Sequence, residues 1–183
     1  DLKQVSWQAR ANVQHARGNN MNAQQLRSLI KTTLTELQEA TDGKIQRSEV
    51  AEDLLMMTAA HESHLGEYIK QVGGPALGIF QMEPATEDDI WDNYLHYRPD
   101  LEDAVERFSV GILSEELVWN LKYAIVMARV HYYRIAESLP AQDDEFYLME
   151  LARYCKYHYN TQEGKATKKQ YYDAYINLIL LKG

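Results

Sequence analysis

Between His61 and Thr86 the chain reads HESHLGEYIKQVGGPALGIFQMEPAT. One glutamate, Glu62, is followed by Ser63 and by a glycine-containing loop, then by Gly78-Ile79-Phe80-Gln81 and Pro84-Ala85-Thr86. A carboxyl group at a helix end, facing a loop shaped by glycine and proline, can deliver a proton into a cleft. Glycoside cleavage needs such a donor, because the leaving sugar oxygen is protonated as its bond breaks. Gln81 closes the loop with an amide that also fits a core position satisfied by backbone groups. No His–Asp pair is placed to activate Ser63 as a nucleophile, so its expected part is to support the local structure.

His61 and His64 bracket the glutamate. Their spacing is not HExxH, in which histidines four apart share a helical face and bind zinc. No third ligand stands out, so no metal is expected, and the two rings read as hydrogen-bonding groups near the cleft or as solvated side chains.

The elements that must hold these groups are helical. Met21-Asn22 opens a segment in which Leu26, Leu29, Ile30, Thr33, Leu34 and Leu37 recur at helix spacing, and Asp42-Gly43 stops it. Ser48 reads as the N-cap of the next helix, with Glu49 and Glu52 in its first turn. On that helix Leu55, Thr58 and Glu62 share one side, which sets the carboxyl group beside the apolar face. Such a setting favours the protonated form that a general acid delivers. Residues 66–78 form a loop that turns at Gly73-Gly74-Pro75. Thr86, with Asp89 three residues on, reads as an N-cap. Further helices are expected from Pro99 to about Val110, from about Ser114 to Ser138, from about Asp144 to Tyr159, and from about Thr167 onward. A stripe of Leu117, Leu121, Ala124, Ile125, Ala128 and Ile135 marks the long one. The expected fold is mostly α, or α+β, with one short irregular or β-hairpin lobe.

Length and charge bound the function. The 183 residues are 45% apolar and 25% charged, ordinary globular values that support one sizeable core. Residues 1–45 read as a polar helical extension, with helices expected over Asp1–Gly18 and Asn22–Ala40, packed on a domain of residues 46–183. A single Cys155 rules out a disulfide within the chain. The longest apolar run near the C-terminus, Ile179-Leu180-Leu181, is too short to span a bilayer. A net charge of −8 argues against a nucleic-acid partner. Among the 13 tyrosines, most are expected in the core or at its rim with a bonded hydroxyl.

Glu62-Ser63, Gly78-Ile79-Phe80-Gln81 and Pro84-Ala85-Thr86, with Tyr159-Asn160 in a later helix, resemble the motifs of the lytic transglycosylases and goose-type lysozymes. Those enzymes carry Glu-Ser, then Gly-Leu-Met-Gln, a two-residue spacer, Pro-Ala-Thr, and later Tyr-Asn. The resemblance covers roughly Glu49 to Leu181, and three elements in order make it far more specific than Glu-Ser alone. It implies a lysozyme-like domain that acts on peptidoglycan without a cofactor. Glu62 becomes its acid/base, and Ser63, Gln81, Glu83, Tyr159 and Asn160 its substrate-binding residues. Gln81 would lie near the acid and contact the sugar. Tyr159 would orient Glu62 or the substrate's acetamido group, while Asn160 would donate to that region or cap the helix end.

The chain departs from the pattern at Phe80 for methionine, at Glu83 for methionine, at His158 for alanine and at Thr161-Gln162 for Ala-Gly. A single carboxylate implies a 1,6-anhydro product. A second one, from Glu83, Asp88 or Asp89, implies hydrolysis. The acidic charge suits an enzyme carried to an anionic wall by a larger assembly, such as a phage virion or a secretion apparatus, and acting in the periplasm or cell wall. It also suits a cleft that is locally neutral or basic. A non-catalytic lysozyme-shaped interaction module and a metalloprotease on His61 and His64 are the rival classes.

Overall fold

The computed structural model describes residues 21–111, 113–160 and 165–181. The expected Asp1–Gly18 helix and the Thr161-Gln162 departure lie outside the described residues. Within them the chain is helical: α1 Ala23–Ala40, α2 Glu49–Ser63, α3 Pro84–Ile90, α4 Pro99–Glu106, α5 Glu116–Trp119, α6 Leu121–Tyr133, α7 Tyr147–His158 and α8 Lys168–Tyr175. Helices α3 and α8 each run on into a π-helical turn, Trp91–Leu95 and Ile176–Leu180.

Local chemistry sets most of these boundaries. Asn22 caps α1 by accepting from the Gln25 amide at 3.0 Å, and Ser48 caps α2 by accepting from Ala51 at 3.1 Å. Asp42 and Gly43, at φ 50° and 77°, turn the chain out of α1. Thr167 and Gln170 form a reciprocal capping box at the start of α8.

Two expected starts move. The helix after the loop begins at Pro84 rather than at Thr86, because proline fits the first helical position, and Glu83 precedes it without a side-chain cap. The expected 114–138 helix breaks at Asn120. Its side chain accepts from the Tyr123 amide at 3.1 Å and donates to Glu116 and Phe108, which ends α5 and starts α6. Helix α6 then stops at Tyr133.

Helix α2 is the centre of the fold. Residues 51–60 are all buried, so the middle of the helix has no wet face. Burying each of Leu54, Leu55, Met56 and Met57 stabilises the fold by about 1.5–3 kcal/mol. Two of the acids on this helix are paired with arginines. Glu52 accepts from Arg47 at 2.6 Å, and Asp53 accepts from Arg27 at 2.7 Å, Tyr175 at 2.8 Å and Tyr147 at 3.0 Å. Asp53 thus joins α1, α7 and α8 to α2. Leu26, Ile30, Leu34 and Leu37 of α1 are buried in the same core.

Beyond α2 three successive left-handed residues, His64, Leu65 and Gly66, reverse the chain into the lobe. Two isolated antiparallel bridges, Lys70–Leu77 and Leu77–Met82, hold the lobe, and no strand forms among the described residues. Gly78 fixes where the lobe docks. It sits at φ 74°, and a Cβ on it would lie 1.8 Å from the Leu117 carbonyl oxygen. Only glycine meets both demands.

Candidate active site

Glu62 stands on the last turn of α2, its side chain 14% exposed, at the wall of a cleft of about 710 Å³. Gln81, Glu83, Tyr159 and Asn160 line the same cleft. The lobe supplies Gln81, the start of α3 supplies Glu83, and the end of α7 supplies Tyr159 and Asn160. Glu62 and Asn160, 98 positions apart in sequence, therefore share one opening.

Ser63 does not reach it. The residue is fully buried, its hydroxyl lying 2.5 Å from the Ile79 carbonyl and 3.2 Å from that of Ala59, while accepting from the Gly66 amide at 2.9 Å. Ser63 clips the lobe to α2, and the substrate-binding role assigned by its motif gives way to a structural one. Its neighbour on the helix faces the cleft because successive side chains point about 100° apart.

Glu62 is held by two groups that its motif does not contain. The hydroxyl of Tyr171, on α8, donates to Glu62 Oε1. His61 Nδ1 lies 3.3 Å from the same oxygen. The His61 and Tyr171 rings stack with centroids 3.8 Å apart and planes 14° apart. Burial, and then the nearby Glu62 charge, push the Tyr171 phenol far above its ordinary range, so it stays a donor. Glu62 Oε2 has no protein partner among the described residues.

Tyr159 acts differently from its expected role. Its hydroxyl donates to the Phe80 carbonyl at 2.8 Å rather than to Glu62. It braces the lobe while its ring lines the cleft. Gln81, at φ 48°, spends its amide nitrogen on the carbonyls of Gly78 at 2.8 Å and Tyr68 at 3.3 Å. Its carbonyl oxygen has no partner among the described residues. Asn160 Oδ1 lies 3.4 Å from Lys156 Nζ.

His131, not singled out in the sequence, is a further cleft residue. Its Nε2 donates to the His158 carbonyl at 2.8 Å, and its Nδ1 faces Arg134 Nη2 at 3.2 Å. The guanidinium can only donate, so Nδ1 accepts and the ring is neutral. Burial pushes its pKa down to about 4.

Of the three acids weighed as a second carboxylate, only Glu83 lines the cleft. Asp89 is engaged by Arg134 at 2.5 Å and by Asn93 at 3.0 Å, and these partners hold its carboxyl below the ordinary range. Asp88 is exposed outside the cleft. His61 and His64 diverge: the first packs on Tyr171, and the second lies 3.6 Å from Glu67 at the surface. Among the described residues no three His, Cys, Asp or Glu side chains converge as metal ligands, and no helix is long and apolar enough to cross a membrane.

Comparison with protein-family models, with curated proteins and with solved structures finds no match to this chain.

Proposed function

We propose that the protein is a peptidoglycan lytic transglycosylase with a lysozyme-like domain, and that Glu62 is its one acid/base. The observation that carries this reading is the cleft itself. It holds a partly buried carboxyl group with one oxygen fixed by Tyr171 and the other without a protein partner. The residues around it come from the motif elements that resemble that family.

In the proposed reaction Glu62 protonates the oxygen between N-acetylmuramic acid and N-acetylglucosamine. The C1–O bond breaks, and the substrate's own acetamido group supports the charge at the anomeric carbon. Glu62, now a carboxylate, takes the proton of the muramic acid 6-hydroxyl as that oxygen closes on C1. Atoms balance without water, and the product is a 1,6-anhydro sugar. Gln81 and Asn160 offer amide groups to the sugar, and no cofactor enters.

One observation favours a second reading. Glu83 is exposed in the same cleft, without an ion pair among the described residues, and a base there can activate water for hydrolysis. In either reading the acidic chain would work in the periplasm or cell wall as a module of a phage or secretion assembly. Clearing of purified peptidoglycan by the wild type, and its loss in Glu62→Gln with an unchanged circular dichroism spectrum, is the test. Equal clearing by both proteins overturns the role of Glu62. No clearing by the wild type favours a non-catalytic, lysozyme-shaped interaction module.

A further inference from the structure

The protein carries a net charge of −8, yet two lysines line the cleft, Lys70 on the lobe and Lys165 just before α8. Both are exposed, and neither has an acidic partner among the described residues. Elsewhere three surface lysines are paired, Lys44 with Asp100, Lys122 with Glu36 and Lys169 with Asp173, while Lys31 and Lys168 are exposed away from the cleft without an ion pair among the described residues. Against Glu62 and Glu83 the two ammonium groups leave the cleft close to neutral, while the molecule around it is strongly acidic. Such a local departure from the global charge removes the repulsion that a negatively charged ligand would otherwise meet, and leaves two ammonium groups placed to pair with it.

A glycan backbone of N-acetylated sugars is neutral. The charge on peptidoglycan strands lies on the carboxylates of their stem peptides. Building on the proposed function, we infer that Lys70 and Lys165 recognise stem-peptide carboxylates, so that the preferred substrate is the peptide-bearing strand rather than the denuded glycan. The lysines then also offset the repulsion between an acidic protein and an anionic wall. Both ammonium groups are specificity-determining and take no part in the chemistry.

The test is a binding measurement on Glu62→Gln, which separates recognition from turnover. Soluble peptidoglycan strands bearing peptides, and the same strands stripped by an amidase, are titrated calorimetrically. The peptide-bearing strands are expected to bind about three- to tenfold more tightly, as two partly exposed charge pairs would give. That ratio should fall to about one in the Lys70→Gln/Lys165→Gln/Glu62→Gln protein, and in the parent protein at high salt. Equal affinity for both strands, or a ratio that survives removal of the lysines, overturns the inference. Equal affinity with wild-type turnover intact sinks the lysine assignment alone, whereas selective binding without wild-type turnover sinks the enzymatic reading alone.

Discussion

Tyr171 lies flat against His61, ring centroids 3.8 Å apart, and its hydroxyl donates to the Oε1 atom of Glu62, 109 residues away in sequence. The last helix thereby fixes a group on the second helix, and a carboxyl that could rotate is confined to one orientation. Tyr171 touches the acid rather than the cleft, so it is a positioning residue. Replacing it with phenylalanine keeps the stack and removes the donor. A lost hydrogen bond to a charged group costs about 1.5–3 kcal/mol, which corresponds to a fall in kcat of about ten- to a hundredfold. The expected signature is a fall in kcat with KM little changed. An unchanged kcat would contradict the positioning role.

Gly78 predicts a stability effect. Alanine there meets the Leu117 carbonyl at 1.8 Å and a left-handed backbone. The conformation alone costs about 1–2 kcal/mol, and the clash adds to it. The melting temperature of Gly78→Ala is expected to fall by about 6–12 °C for a total near 3 kcal/mol. An unchanged melting temperature would show that the lobe does not dock on α5 as described.

Asp53 is expected to matter more than any surface pair. It accepts from Arg27, Tyr147 and Tyr175, and its side chain is 12% exposed. Asp53→Ala strands a guanidinium and two phenols at the junction of four helices. The expected loss is about 3–5 kcal/mol in a urea titration. Asp100→Ala, which breaks an exposed pair with Lys44, should leave the midpoint unmoved. Similar effects from the two variants would contradict this ranking.

His131 makes stability depend on pH. Burial disfavours its imidazolium, so the folded state keeps the ring neutral down to about pH 4, while the unfolded chain takes up a proton near 6.5. Between those values the unfolded state binds more protons, and stability falls as pH falls through that window. The contribution is at most about 3 kcal/mol. His131→Gln, compared at several pH values, is expected to show a shallower loss between pH 6.5 and 4 than the wild type. Parallel curves for the two proteins would remove His131 from the account.

The cap at Ser48 and the helix starts at Asn22 and Thr167 were legible in the sequence because each rests on neighbours within three residues. The break at Asn120 was not. The stripe through Leu117, Leu121 and Ala124 continues across it, and periodicity does not register one residue whose backbone leaves the helix. Pro84 overrode Thr86 by the same kind of local competition. At the site, Glu62, Gln81, Glu83, Tyr159 and Asn160 were readable as a pattern, and they do meet at one cleft. Ser63 belonged to the pattern for a packing reason. Tyr171 was hidden among 13 tyrosines, since nothing local distinguishes a phenol that will meet a carboxylate 109 positions away. His131 was hidden because a histidine on an apolar stripe looks the same whether it faces a core or a cleft.

The role of Glu62 is tested most directly by the mass of the products released from purified peptidoglycan, with Glu62→Gln run in parallel. The wild type is expected to release 1,6-anhydromuropeptides and the variant none. Reducing-end products, heavier by one water, would contradict the single-carboxylate mechanism and assign the second role to Glu83. Anhydro products from both proteins would contradict the central claim that Glu62 is the acid/base.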